Sequence, residues 1–191
     1  MNILRCCAGL AVAALLSACA PLHPERPVER ARPFDLVGRV AVNHDGRAFS
    51  AGVRWEHTAE RDEVWLLTPV GQALAHILGD SQRATFTGSD RSQRTARDIA
   101  SLTREALGWE FPIEPLSWWV QGAIAPFAVI QQVDRDEHGR LATLQQDGWR
   151  IAYTHYAPGE NGGLPRRLDI SWGTQSIRLV VDNWRRDGEA P

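Results

Sequence analysis

Leu16-Ser17-Ala18-Cys19 is the stretch with the plainest chemical meaning. Small residues before a cysteine fit a signal peptidase, and the thiol can accept a diacylglycerol before the chain is cut on its N-terminal side. This is the pattern of a bacterial lipobox. The residues ahead of it agree: a positive charge lies within Met1 to Arg5, an apolar run follows from Ala8 to Leu16, and Ser17 and Ala18 are small. That is the order of regions in an export signal. The run falls short of the ~20 apolar residues of a membrane-spanning helix, and Pro21, Pro24 and Pro27 end any helix soon after it. Residues 1–18 are therefore expected to be a signal peptide, with Cys19 lipidated. Cys6 and Cys7 lack the preceding small residues and leave with the signal, so the mature chain is expected to form no disulfide.

Other reactive side chains form no recognisable catalytic set. The motifs GxSxG, HExxH and CxxC and the phosphate-binding glycine loop do not occur. Among the six histidines, His76 lies in an apolar stretch and reads as a hydrogen-bonded structural residue. Asp134, Asp136 and Glu137 invite a calcium reading, but their loop carries Arg135 and lacks the distal glutamate of a calcium loop. A solvated hairpin turn is expected there, and neither metal nor cofactor is implied.

With 21 basic and 23 acidic residues the chain is nearly balanced, and loss of Arg5 leaves 20 against 23. The charges are dispersed without a basic stripe, so nucleic acid is not an expected partner. The 173 residues left after removal of 1–18 from 191 suffice for one domain with a real core. Residues 19–33, rich in Pro, Glu and Arg, read as a lipidated cysteine and flexible tether. The folded domain is expected over 34–186, with 187–191 as a tail.

Within that domain the pattern is period two. Phe49, Ala51, Val53 and Trp55 share one face and Ser50, Gly52, Arg54 and Glu56 the other. Leu36 to Asn43 reads as a partner strand, joined through the hairpin signal Asp45-Gly46. Further strands are expected at 64–67, 72–78, 84–87, 128–133, 141–146, 149–156, 167–171 and 177–184, with turns at Thr68-Pro69-Val70-Gly71, Asp136 to Gly139 and Asp147-Gly148. In the loop at 68–71, Pro and Gly suit the two central positions. Ile99, Leu102 and Ala106 recur at helical spacing, with Thr95 and Asp98 as a capping box and Gly108 as the stop. A short second helix is expected at 116–120. The sum is a mainly β (α+β) domain: one curled antiparallel sheet of about ten strands, interrupted once by helices that lie on one side. Its interior could be filled or could be a ligand cavity.

Several stretches, in order, resemble the LolB family of outer-membrane lipoproteins. They are Phe34 to Val42, Trp55, Leu67 to Gln72, Leu107-Gly108, Leu116 with Trp119, Val120 and Gly122, Gln146 to Trp149 running to Tyr153, Leu164-Pro165, and Val181 to Trp184. The resemblance implies an open or half β-barrel of ten to eleven strands with a helical lid over an apolar cavity. It implies a receptor that takes lipoproteins from the periplasmic carrier LolA and inserts them into the outer membrane, with acyl chains and outer-membrane lipid as its other partners. Anchoring is expected at the periplasmic face, by a protein that works as a monomer. Ala20 after the lipidated cysteine agrees with outer-membrane sorting, since aspartate there retains proteins. The expected cavity residues are Leu36, Val40, Val53, Trp55, Leu66, Trp119, Trp149, Ile151, Leu179 and Trp184. Arg39 and Arg54 sit in strands and could neutralise a lipid or cargo carbonyl, but the solvated outer face is their expected place. Pro69, Val70 and Gly71 form the expected membrane-insertion loop, where family members commonly carry leucine and this chain has the smaller Val70. Two other readings are a structural or assembly lipoprotein that binds a partner at a sheet edge, and a lipid-modifying hydrolase. A bound acyl chain would separate the receptor from the edge binder, which needs only a filled core.

Overall fold

Alternating apolar and polar residues put the chain into one antiparallel sheet that curls around a single interior. The computed structural model describes residues 30–107, 109–158 and 163–185. The expected signal peptide, Cys19, most of the tether, Gly108 and the C-terminal tail lie outside them. The strands are β1 (Phe34–His44), β2 (Arg47–His57), β3 (Arg61–Leu67), β4 (Ala73–Asp80), β5 (Ala84–Gly88), β6 (Gln93–Ala96), β7 (Ile130–Arg135), β8 (Leu141–Gln146), β9 (Trp149–Tyr156), β10 (Pro165–Trp172) and β11 (Gln175–Arg185). Helices α1 (Ile99–Leu107) and α2 (Ile113–Trp119) separate β6 from β7.

Among the described residues the sheet has 11 strands in the order β6-β5-β4-β3-β2-β1-β11-β10-β9-β8-β7. Every strand pairs with its sequence neighbour except across the helical insert, and β1 joins β11 to unite the two arms. The barrel is open between β6 and β7, and the insert connects those two edges. Gly38 permits the union of the arms: a Cβ there would lie 2.1 Å from the Val180 carbonyl oxygen, at the bulge in the β1–β11 ladder.

Tight turns set the register. Asp45 and Gly46 have φ of 47° and 77°, and Asp147 and Gly148 have 46° and 79°. Positive φ at both central positions is the two-residue turn whose twist matches the strands it joins. In the β3–β4 turn the Gly71 N–H donates to the Thr68 carbonyl, so the central positions are Pro69 and Val70, and Gly71 follows with φ 82°. Glycine thus takes the left-handed position after the turn and not a central one.

Two further local expectations differ from the structure. Gln93–Ala96 is a strand, so Thr95 lies in β6 and the helix starts later. Asp98 is the cap itself, with its carboxylate accepting the Ser101 N–H at 2.7 Å. That hydrogen bond holds the Asp98 carboxyl below the usual carboxylate range. Phe49, at the end of its inward-facing row, is exposed, while His57 extends the same row and is buried. His57 stacks on Phe34 with ring centroids 5.2 Å apart, and its Nδ1 lies 2.7 Å from Asp62 Oδ1. Outside the sheet, Arg39 pairs with Asp182 at 2.8 Å and Arg54 with Asp35 at 3.1 Å. His76 stacks on Trp65 and lies 2.9 Å from Glu63 Oε1. The Asp136 loop is a turn whose carboxylate accepts the backbone N–H groups of His138 and Arg140.

Candidate functional site

The interior divides into two unlike halves. Under α1, the inner faces of β1 to β5 and β11 surround an apolar cavity of about 480 Å³, within the ~300–1,000 Å³ range of ligand pockets. Leu36, Val40, Val53, Trp55, Leu66 and Leu179 line it from the sheet, together with Val64, Ile77, Phe86 and Ile177. Ile99, Leu102 and Ala106 of α1, then Phe111, Ile113 and Leu116, cover it. Trp55 turns its ring to the cavity and satisfies its polar edge by donating to Asp62 Oδ1 at 2.7 Å.

Beneath α2 and the loop after it, the interior is filled. Trp119 is fully buried. Its indole N–H donates to Gln146 Oε1 at 2.9 Å, and Ala125 N–H donates to the same oxygen at 3.1 Å. The Gln146 amide donates in turn to the carbonyls of Ala125 and Ala128. Leu141, Leu144, Ile151, Tyr153 and Leu168 pack around this plug. Tyr153 donates to the Trp119 carbonyl and Tyr156 to that of Leu141. Burial pushes the Tyr156 phenol up to about 12 and that of Tyr153 up as well, so both stay neutral donors.

The ten residues expected together are therefore divided. Leu36, Val40, Val53, Trp55, Leu66 and Leu179 share the cavity. Trp119 and Ile151 belong to the plug, where both are fully buried among large side chains. Trp149 lies beside the plug, 6.3 Å from Trp119 and 6.0 Å from Trp172. Trp184 donates to the Pro165 carbonyl and packs edge-on against Phe34 at the end of the sheet where the chain enters. Of the wall residues not foreseen, Ile77 could have been found by extending the alternation along β4. Phe111 and Ile113 carry no such signal, because they lie at the junction of the helices.

Helix α1 packs on β4, β5 and β6, with a close approach at Gly79 of β4. A Cβ at Gly79 would lie 2.5 and 2.6 Å from Cγ1 and Cδ1 of Ile99, so any larger residue there requires the Ile99 side chain to shift. Gly79→Ala should push the Ile99 end of the lid outward and destabilise the domain by about 1–3 kcal/mol. Adding Ile99→Ala should recover part of that loss, because the clash goes with the side chain. Urea midpoints of the single and double variants measure both effects, and strictly additive losses would disprove the contact.

The loop at 68–71 stands at the hairpin end of the sheet, away from the point where the chain enters. Val70 at its tip is 80% exposed. The Thr68 hydroxyl accepts the Gln72 N–H, and the Thr68 N–H donates to the Gln72 carbonyl, which closes the base of the loop. Val70 is thus held out by a well-bonded turn. Among the described residues no group of acidic, histidine or cysteine side chains is arranged to hold a metal ion, and no helix is long and apolar enough to cross a membrane.

An open antiparallel half-barrel, with helices laid over an apolar cavity in one half, defines a class of lidded half-barrel domains. A solved structure of a DUF1329 family protein from Desulfovibrio piger shares this fold, with TM-score 0.50, 8% identity, and 86% of this chain and 89% of that chain covered. The family described as Outer membrane lipoprotein LolB matches residues 32–184, and this chain belongs to it. Its relatives include the outer-membrane lipoprotein LolB of Nitrosomonas europaea, 38% identical over 80% of this chain and 73% of its own length. That of Thiobacillus denitrificans is 35% identical over 89% and 91%. The chain is accordingly a lipid-anchored outer-membrane lipoprotein of the Lol pathway.

Proposed function

We propose that the cavity under α1 receives the acyl chains of lipoproteins brought by a LolA-like periplasmic carrier, and that the protein passes them into outer-membrane lipid. The observation that carries this reading is the cavity itself: about 480 Å³, apolar on nearly every side and roofed by helices. At about 0.8 kcal/mol per CH₂ kept from water, three long acyl chains would cost tens of kcal/mol in the periplasm. Shelter is needed at each stage. Apolar contact is non-directional, so a cavity of this kind can release what it holds to a bilayer without nucleotide or catalysis. Leu36, Val40, Val53, Trp55, Leu66 and Leu179 are the proposed contacts, and the proposed working unit is a monomer. The sheet-edge reading is not favoured, because an edge binder has no use for an apolar chamber.

The test is transfer of a labelled lipoprotein from a loaded carrier to the soluble domain and then to liposomes. Saturable receipt with little dependence on salt is expected, since burial and not charge drives it. Failure to take up cargo in a folded domain would end this reading. We place the anchor on Cys19. Labelled palmitate should enter the parent and be absent from Cys19→Ala, and incorporation into that variant would disprove the assignment.

The tip at Val70 is proposed to touch the bilayer during release, because a single exposed apolar side chain adds membrane contact without irreversible anchoring. Val70→Glu should leave the fold and cargo receipt intact while slowing insertion several-fold, and Val70→Leu should equal or exceed the parent. Scoring receipt and insertion separately decides it. Equal insertion by the two variants would reduce the loop to a turn.

A further inference from the structure

Apart from the buried Thr103, the polar side chains of the cavity wall lie at its mouth. There the β1–β2 hairpin sets His44 opposite Arg47, paired across the turn on the face that looks into the cavity. Thr103 also borders the cavity, but its hydroxyl is occupied, donating to the Ile99 carbonyl and accepting the Phe111 N–H. Arg47 forms no hydrogen bond or ion pair with the described residues. The His44 ring lies 6.1 Å from the Trp109 ring of the segment that leads from α1 to α2, with its Nε2 3.5 Å from Asp45 and its Nδ1 buried without a protein partner. The exposed Arg47 guanidinium, with hydrogen-bonding capacity unused, thus lies beside the half-buried His44 ring where a greasy chamber meets water.

An acyl chain is not wholly apolar. Its ester or amide carbonyl joins it to the head, and when the alkyl part is buried that oxygen comes to rest at the rim. A carbonyl brought there without a donor would lose its water uncompensated. We propose that His44 and Arg47 form a polar collar that donates hydrogen bonds to the carbonyl oxygens where acyl chains join their glyceryl-cysteine head. This rests on the cavity being the acyl site. The guanidinium suits the task, since its five N–H groups in a fixed fork can serve two neighbouring carbonyls. The collar also sets the depth of insertion, because chains enter until the carbonyls reach it.

Two neutral probes with the same chains isolate the effect: dipalmitoylglycerol, which has ester carbonyls, and dihexadecylglycerol, which has ether oxygens in their place. Binding to the full domain is followed by displacement of a fluorescent fatty acid. Arg47→Met keeps the apolar stem at an exposed position, and His44→Phe keeps the ring against Trp109; circular dichroism confirms the fold of each. Arg47→Met should weaken the ester by about tenfold, with a smaller loss for His44→Phe, while the ether binds either variant as it binds the parent. Equal loss for ester and ether, or no loss for the ester, would overturn the collar. Loss confined to free palmitate would assign the pair to carboxylates and overturn it as well. If the parent binds neither glyceride, the cavity reading fails, and the collar with it.

Discussion

Gln146→Leu should lose about 3–5 kcal/mol of folding stability, the largest effect expected of a single substitution outside the β1–β11 junction. Gln146 is completely buried and uses its whole hydrogen-bonding capacity, accepting from Trp119 and Ala125 and donating to Ala125 and Ala128. Leucine matches its size but leaves an indole N–H, a backbone N–H and two carbonyls without partners in a dry interior. Each orphaned group costs about 1–3 kcal/mol, against a total stability of about 5–15 kcal/mol. Gln145→Leu, one residue earlier on the opposite face, should change stability by no more than about 0.5 kcal/mol. Urea denaturation of both variants checks this. A Gln146→Leu midpoint close to that of Gln145→Leu would show that the plug does not hold the insert to the sheet.

Leu66→Glu should weaken acyl binding by about a hundredfold at neutral pH. Leu66 is half-buried and borders the cavity, so a carboxylate can reach water in the empty protein and the fold should survive. Bound alkyl chains would strip that water away, at a cost of a few kcal/mol for an unpaired charge. The sign of the pH dependence follows. Desolvation favours the neutral acid, so binding by the variant should recover as pH falls and the carboxyl protonates, while the parent changes little. Leu78→Glu, on the outer face of β4, should bind like the parent. Displacement titrations at neutral and acid pH separate the cases, and undiminished binding by folded Leu66→Glu would remove it from the wall.

The strands were legible because an exposed and a buried face force period two, and because Asp45-Gly46 and Asp147-Gly148 adopt the positive φ that a two-residue turn demands. β6 was not, since Gln93-Arg94-Thr95-Ala96 is a largely polar edge that buries little. The capping box failed for a related reason: Asp98 fits both the third position of a helix and its cap, and only the strand pairing of Thr95 excludes the first. The cavity list was half legible. Inward alternation looks the same in β2 as in β9, so it names Val53 and Ile151 alike. Which of them meets empty space depends on what lies opposite, and that is fixed by Trp119, from an insert far away in sequence. Resemblance cannot supply this either, because the matching stretches hold Trp119, Gln146 and Ile151 of the plug as well as Leu36, Val40 and Trp55 of the cavity wall.

The junction of the two arms also governs the order in which the molecule can form. β1 and β11 are the first and last strands, with Val40 opposite Leu179, whereas the other ladders join sequence neighbours and enclose short loops. Hairpins close in about 1–10 μs, but contacts across nearly the whole chain are slow to form. Each arm can therefore assemble locally, while the shared interior waits for the C-terminal strand. A chain crossing a membrane N-terminus first would deliver β11 last, and until then β1 would have only β2 beside it. Completion of the sheet is thereby linked to arrival of β11, which keeps β1 without its second neighbour until that strand is delivered.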